Sequence, residues 1–431
     1  MPIIAKRPLS AAAFSAVVSL GWILTSLAAA PELPAALPVV ETASLGSVGE
    51  HWKLVFDLSA PVTPSAFVLA DPDRVIVDLP RTDFRLDPQA GRRNYGILHH
   101  ASLIESFRFG QLDPGRSRIV IDLRSPAQLV HVGCEKDNAG RLSLVIELAK
   151  TDRAAFHAQA QQVRARIAAE PQGPRSEKAA GVSDKPIIVL DPGHGGIDRG
   201  AMVKDLVEKD LVFDFAQTLA AKLEADGRLK VLMTRTDDSF VPLSERVRMA
   251  RENNARLFVS IHADTLSNAS QVSGATVYTV SERASDAEAE RVAEHENKAD
   301  SAAGLDQAED VSDVSDILFD LTRRETHAYS HYFARTLANY WRVAGKLNKN
   351  PQRSAGFRVL KAPDIPSVLL ELGYLSNRED SQALSSPQWR DKAASQVAEA
   401  IEAFFSAQEN QTSVVKAGGP SFPKDTPLDN P

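Results

Sequence analysis

The chain of 431 residues is 43% hydrophobic and 24% charged, and its formal net charge is −7. This length favours two or more domains, and the lack of a basic block argues against a nucleic-acid-binding surface. A single cysteine, Cys134, excludes an internal disulfide.

Residues 1–30 have the pattern of a secretory signal peptide. Lys6 and Arg7 precede an apolar stretch that ends in small residues near Ala30, which is the order that signal peptides share. An uncleaved membrane anchor is the alternative, and the small residues favour cleavage. Since no other run of the sequence is long enough to cross a bilayer, we expect an exported protein with no membrane span after signal cleavage.

Residues 45–150 are predicted to form a small antiparallel β domain. Apolar residues alternate or cluster in short segments, and turn formers separate them. Two segments, KLVFDLSAPV and RIVIDLRSPA, look alike, which suggests a duplicated strand–turn unit. Because these strands carry no group of catalytic residues, we expect a domain for binding or targeting.

Two segments are predicted to lie outside the folded domains. Residues 151–184 begin with a helix-prone polar stretch and continue rich in Pro, Gly, Ser and Lys, as is typical of a linker. Residues 407–431 are polar and rich in proline, which predicts a disordered tail.

Residues 185–406 change pattern, because apolar strands now alternate with helical stretches. One helix begins near Glu208, after which apolar residues recur every four positions. Alternating strands and helices predict an α/β fold with a mostly parallel twisted sheet flanked by helices.

Three of these strands end in a residue that can do chemistry: His194, His262 and Glu371. Ligand sites of open α/β sheets lie at the carboxyl ends of strands, and Glu208 opens a helix near the same edge. Two histidines and a glutamate form a common catalytic zinc set, and metal-assisted hydrolysis also needs a base. We predict His194, Glu208 and His262 as zinc ligands and Glu371 as the base.

Each of these residues also has a structural explanation. Glu208 can favour the helix N-terminus through its charge alone, and either histidine can be a satisfied structural residue. Glu371 is harder to explain in this way, because a carboxylate directly after an apolar strand is costly unless it is paired or liganded.

Five segments of residues 185–406, in this order and at these spacings, resemble the zinc-dependent N-acetylmuramoyl-L-alanine amidases of bacterial cell-wall remodelling: DPGHGGIDRGA, EKDLVFDFA, TRTDD with LSERVRMA, FVSIHAD and VLLELGYLSN. The resemblance implies the same zinc ligands and the same catalytic glutamate. It also implies the substrate, the amide between N-acetylmuramic acid and L-alanine of the stem peptide, and a periplasmic location, with enrichment at the division septum. More weakly, RVIVDLP and its neighbouring strands resemble the AMIN domain. That likeness implies a small antiparallel β-sandwich that targets such amidases to the wall or septum.

A segment at about 281–325, called the insert below, interrupts the strand pattern. Its front is acidic, rich in alanine and helix-prone, and AEHENKAD resembles the blocking helix of division-associated amidases. That likeness implies an autoinhibitory glutamate, with Glu296 as first candidate and Glu294 as second, and a LytM-type activator as partner. The alternative for the insert is a solvated surface helix. Two other functions stay open: a catalytically silent wall-binding scaffold, and a zinc peptidase acting on stem peptides.

Overall fold

The computed structural model describes residues 37–87, 89–92, 102–169, 185–266, 271–305 and 317–416. The predicted signal peptide, residues 170–184 of the predicted linker and residues 417–431 of the predicted tail lie outside the described residues. Within the described part of the chain, no helix combines the length and the apolar character that crossing a membrane requires.

The N-terminal part forms a β domain of two sheets. Its strands are β1 (Val39–Val48), β2 (His51–Leu58), β3 (Ser65–Leu69), β4 (Arg74–Pro80), β5 (Asp83–Phe84), β6 (Ile104–Asp113), β7 (Arg116–Leu123), β8 (Ala127–Lys136) and β9 (Leu142–Lys150). One sheet has the order β5-β1-β2-β9-β8 and the other β3-β4-β7-β6. All neighbours pair antiparallel except β1 and β5. The predicted antiparallel β domain is therefore confirmed.

Strand β7 is apolar without interruption over residues 119–121. Ile119 and Ile121 point into the core between the two sheets, because alternate residues of a strand share a face. Val120 points to the opposite face, where it packs with Ile197 and Phe240 of the following domain. Both faces of the strand are buried over residues 119–121, which explains the uninterrupted apolar run.

Part of the predicted linker is structured. Residues Arg153–Ala169 form helix α1, and Phe156 and Ala160 are buried in the core of the β domain. These residues lie four positions apart and therefore on one face of the helix. Of the helix side chains that the structure describes, only these two belong to that core. The sequence of the helix therefore did not show a clear apolar face.

The second domain is α/β, as predicted. Its six-stranded sheet has the order β13-β10-β14-β17-β15-β16, in which β15 is antiparallel to β17 and the other neighbours are parallel. The strands are β10 (Ile187–Pro192), β13 (Lys230–Met233), β14 (Leu257–His262), β15 (Ala275–Val280), β16 (Leu347–Ala355) and β17 (Ser367–Glu371), and β11 (Met202–Val203) and β12 (Leu206–Val207) form a small separate hairpin.

Helices cover both faces of this sheet. They are α2 (Glu208–Glu224), α3 (Leu243–Glu252), α4 (Ala287–Glu296), α5 (Ala299–Ala302), α6 (Ile317–Ala344), α7 (Arg378–Leu384) and α8 (Pro387–Lys416), with a 3-10 turn at Arg358–Leu360. Helices α2, α6 and α8 pack on one face, and α3 and α4 pack on the other. Strands buried on both sides read as continuous apolar runs, which accounts for PIIVL and SVLL.

The strand register brings the reactive residues to one edge of the sheet. Strand β14 pairs with β17 so that His262 lies opposite Glu371, and β10 pairs with β14 so that Pro192 lies opposite Ile261. The loop after β10, which carries His194, therefore lies beside the carboxyl end of β14 and its last residue, His262.

Candidate active site

His194 lies in a tight loop directly after β10. Its backbone is in the left-handed region, with φ of 59°, which is uncommon for a residue other than glycine and marks functional loops. Its Nδ1 lies 2.9 Å from Oδ2 of Asp198, a contact that orients the ring and turns Nε2 inward.

Two glycines allow the site to close. A Cβ added to Gly193 would lie 2.4 Å from the His262 ring, and one added to Gly200 would lie 2.6 Å from both Glu208 and His194. Because glycine has no Cβ, the loop can approach closely, and the rings of His194 and His262 stand edge to face with centroids 4.9 Å apart.

Glu208 is fully buried although it is the first residue of α2. Its Oε1 accepts a hydrogen bond from the Ala263 amide at 2.8 Å, and its Oε2 accepts one from the Ala201 amide at 2.7 Å. These two bonds fix the carboxylate beside both histidines. A favourable charge at the helix N-terminus does not explain this burial.

Four donor atoms of His194, Glu208, His262 and Glu296 converge on one point. Oε1 of Glu208 lies 3.1 Å from His194 Nε2 and 3.3 Å from His262 Nδ1. Oε2 of Glu296 lies 3.6 Å and 3.0 Å from the same two nitrogens. Ligands about 2.1 Å from a tetrahedral ion lie about 3.4 Å from one another, so this spacing fits a metal ion.

Two further observations agree with a metal site. His194 Nε2 and His262 Nδ1 are buried, and they make no hydrogen bond to the nearby carboxylate oxygens or to any other described residue, although buried nitrogens are almost always hydrogen-bonded. His194, His262 and Glu296 also form a buried group whose ligand atoms lie within 4.8 Å of one another.

The charges of this group balance. Burial acts to lower the histidine pKa values, but the carboxylate of Glu208 raises the pKa of His194 well above its usual range, and Glu296 raises the pKa of His262 to about 10. Burial opposes ionisation of both glutamates, yet the histidines lower their pKa values. A divalent cation with two neutral histidines carries the same charge as two histidinium ions, so it can replace two protons without leaving a net charge buried.

Glu371 lies at the end of β17, beside His262 in the sheet, and is fully buried. Its Oε2 accepts a hydrogen bond from the Asp264 amide at 3.1 Å, and its Oε1 has no partner among the described residues. Burial raises the pKa of Glu371 well above its ordinary value, because the nearby His262 only partly offsets it. A carboxylate with one free oxygen and a raised pKa is suited to accept a proton.

The two candidate glutamates of the insert differ in position. Glu296 ends α4, is buried and joins the donor atoms, whereas Glu294 is exposed and lies outside them. The sequence contained a signal for this difference. Ala289, Val292, Ala293 and Glu296 recur at helical spacing on one buried face of α4, and Glu294 does not share that spacing.

Sequence reasoning missed the residues that hold the His194 loop. Asp191 and Arg246 form a buried ion pair at 2.8 Å, and Arg246 Nη2 donates to the carbonyl of His194 at 2.8 Å. Thr234 and Ser260 donate to the same Asp191 carboxylate. Arg235 adds bonds to the carbonyls of Pro192 and Gly193. The available indication in the sequence was Asp191, because a carboxylate in an apolar strand needs a buried partner.

The fold and its donor set are together those of a metal-dependent hydrolase of the α/β class. The family profile described as N-acetylmuramoyl-L-alanine amidase matches residues 188–403, and the AMIN domain profile matches residues 46–146. The chain therefore belongs to the N-acetylmuramoyl-L-alanine amidase family, with an AMIN domain before the catalytic domain, and it is a peptidoglycan hydrolase.

Three relatives illustrate the similarity. The amidase AmiC of Escherichia coli O6:H1 is 34% identical over 358 residues, which cover 79% of this chain and 83% of the relative. AmiA of Escherichia coli K12 is 36% identical over 240 residues, covering 55% and 81%. AmiC of Neisseria meningitidis serogroup B is 29% identical over 416 residues, covering 92% and 95%.

Proposed function

We propose that this chain is a periplasmic, zinc-dependent amidase that cleaves the bond between N-acetylmuramic acid and L-alanine, and that it is latent until the insert moves. The observation that carries the proposal is the convergence of four donor atoms, in which each glutamate oxygen lies 3.0 to 3.6 Å from both histidine nitrogens, at the edge of the sheet where Glu371 ends its strand. Three of these donors belong to the catalytic domain proper, and the fourth belongs to the insert.

His194, Glu208 and His262 would hold the zinc ion, which would supply a Lewis acid that makes water acidic enough to attack an amide near neutral pH. The free Oε1 of Glu371 would accept the proton of the attacking water. The same carboxyl group would then return that proton to the leaving amine of L-alanine. This second transfer matters because an unprotonated amine leaves poorly.

Latency follows from burial. His194, His262, Glu208, Glu371 and Glu296 are each at most 5% exposed, so an amide of a glycan-linked peptide has no access to them. Glu296 would occupy the position that the attacking water needs. Asp286 caps α4 through the amides of Glu288 and Ala289, and α4 packs on the core beneath it. The blocking segment is therefore a folded element.

Activation requires a partner that binds the open state more tightly than the closed one, because a ligand shifts an equilibrium only by its differential affinity. The likeness to division-associated amidases suggests a LytM-type activator in the envelope and action at the septum, during separation of daughter cells. The AMIN match supports peptidoglycan as the surface to which the β domain binds.

The test is mass spectrometry of muropeptides after digestion of purified sacculi. Glu296→Ala should release intact stem peptides and leave glycan strands without peptide, whereas the wild-type chain alone should release little. Glu296→Ala combined with Glu371→Gln is the matched control and should release nothing. Cuts within stem peptides would instead identify a peptidase. Tight binding without any release by Glu296→Ala would identify a wall-binding scaffold.

A further inference from the structure

The β domain contacts the insert as well as the catalytic domain. Three of its arginines donate to backbone carbonyls at the end of α5: Arg74 Nη1 to Ser301 at 2.6 Å, Arg108 Nε to Ala302 at 2.5 Å, and Arg118 Nη1 to Ala303 at 3.0 Å. The last carbonyls of a helix lack intrahelical donors, and a cation is their favoured partner. These three arginines are called the clamp below.

Carboxylates of the β domain position two arginines of the clamp. Arg118 makes two bonds to Asp78, at 2.6 and 2.9 Å, and Arg108 bonds Asp122 at 2.6 Å. A guanidinium held in this way loses little further side-chain entropy when it binds a carbonyl. The clamp is therefore preformed on the sheet that carries β4, β6 and β7.

Apolar contacts surround the clamp. Ala303 is fully buried against Ile76 and Val120 of the β domain. Gly304 follows in the left-handed region, with φ of 71°, and a Cβ added there would lie 2.4 Å from Ile76 Cδ1. The backbone of the insert thus lies directly against side chains of the β sheet, and a Cβ at residue 304 would require the Ile76 side chain to shift.

These contacts lie shortly after Glu296 in the chain. Asn297 bonds the carbonyl of Gly356 and the amide of Arg358, and Asp300 accepts a bond from the Leu243 amide of the catalytic domain. Because α4 and α5 follow one another with only two residues between them, we expect withdrawal of Glu296 from the metal-binding group to displace α5 and to break the bonds of the clamp.

We propose that the β domain has a second function besides binding the wall: through Arg74, Arg108 and Arg118 it holds the insert in the closed position. This inference rests on the proposed latency of the site. Both domains then stabilise the closed position of the insert. Any change that separates the insert from the β domain therefore also favours the active enzyme.

The test measures hydrogen exchange of peptides from residues 287–305 in the full chain, together with basal hydrolysis of sacculi. Arg108→Gln removes one charge-assisted bond, and its control is Arg116→Gln, an exposed arginine that pairs with Asp113 in its own hairpin. Gly304→Ala changes the insert instead, and its Cβ would disturb the packing of the insert against Ile76. Its control is Gly227→Ala, which has nearly the same φ, 72°, and meets no atom closer than 3.8 Å.

Arg108→Gln should exchange about tenfold faster in residues 287–305, the factor expected for one bond to a charged group. Gly304→Ala should also exchange faster there than Gly227→Ala, because its Cβ would meet Ile76 Cδ1. Peptides from the β strands should be unchanged, and basal hydrolysis should rise. Exchange in both variants equal to that of their controls would overturn the clamp, even if Glu296→Ala is active. Faster exchange while Glu296→Ala stays silent would support the clamp and refute the proposed latency.

Discussion

Arg246 offers a sharp test of how the His194 loop is held. It is almost fully buried, and it bonds Asp191, the carbonyl of His194 and the carbonyl of Val241, each at 2.8 Å. Arg246→Met keeps much of the side-chain volume but leaves Asp191 without its cation. Asp191 is itself fully buried.

Removing one partner of a buried ion pair costs about 3–5 kcal/mol, a large part of the stability of an ordinary domain. With a guanidinium chloride slope of about 4 kcal/mol per molar, the unfolding midpoint should fall by about 1 M. Arg248→Met is the control on the same helix. Arg248 is half exposed and pairs with Glu245 and Glu252, so its loss should cost less than about 1 kcal/mol.

Tryptophan fluorescence can follow this unfolding. In the chain without residues 1–36 and with Trp52→Phe, Trp341 and Trp389 remain, and both lie in the catalytic domain with ring centroids 5.8 Å apart. The midpoint then reports the domain that contains Arg246.

The pH dependence gives a second criterion. Burial acts to raise the pKa of Asp191, but Arg246 and the Thr234 and Ser260 hydroxyls hold it below its ordinary value. In the wild type this carboxylate stabilises the fold above its unfolded pKa, and that contribution is lost as pH falls. In Arg246→Met burial prevails and the pKa rises above the unfolded value. The deficit of the variant should therefore shrink as pH falls from about 7 toward 4.

An Arg246→Met midpoint equal to that of Arg248→Met, or a deficit that grows at low pH, would refute this account of the ion pair. Asp191→Asn combined with Arg246→Met should recover part of the loss, because replacing both partners removes the unpaired charge.

Three further outcomes are expected. His194→Ala and His262→Ala should each lose most bound zinc by elemental analysis, since removing one protein ligand leaves too weak a site; full retention in both would refute the ligand assignment. Glu371→Gln in the Glu296→Ala chain should keep its zinc and its unfolding midpoint but lose at least about 100-fold in amide hydrolysis, and near-normal turnover would place the base elsewhere. Gly193→Ala should weaken zinc binding, because its Cβ would lie 2.4 Å from the His262 ring, whereas Gly140→Ala, which meets nothing within 4 Å, should leave zinc binding unchanged.

The convergence of His194, His262 and Glu371 was accessible from the sequence because strand ends of a parallel sheet share an edge. The apolar runs located the strands, and the first histidine or glutamate after each run was the residue to consider. Burial of Glu296 was accessible in the same way, from the helical spacing of its apolar neighbours. These inferences use only local periodicity and one rule of topology.

The contacts between domains were not accessible. Arg74 and Arg118 occupy strand positions where an arginine ordinarily faces solvent, yet they are buried against the insert. Asp191 and Arg246 form a pair 55 positions apart in the chain. Local patterns do not encode which distant element covers a given face, so a buried charge cannot be told from a solvated one until the packing is known.

The charges of the site connect metal binding with the proposed closed position of the insert. A zinc ion held by two neutral histidines and Glu208 would carry one net positive charge in a buried site. In the proposed latent state the carboxylate of Glu296 would cancel that charge, so a bound metal should stabilise the closed insert, and closure should in turn retain the metal, because the two effects share one free energy. In the proposed active state the charge would face water and the substrate carbonyl. Since the proposed clamp lies outside the metal-binding group, it would bias this equilibrium without altering the residues that would hold the metal.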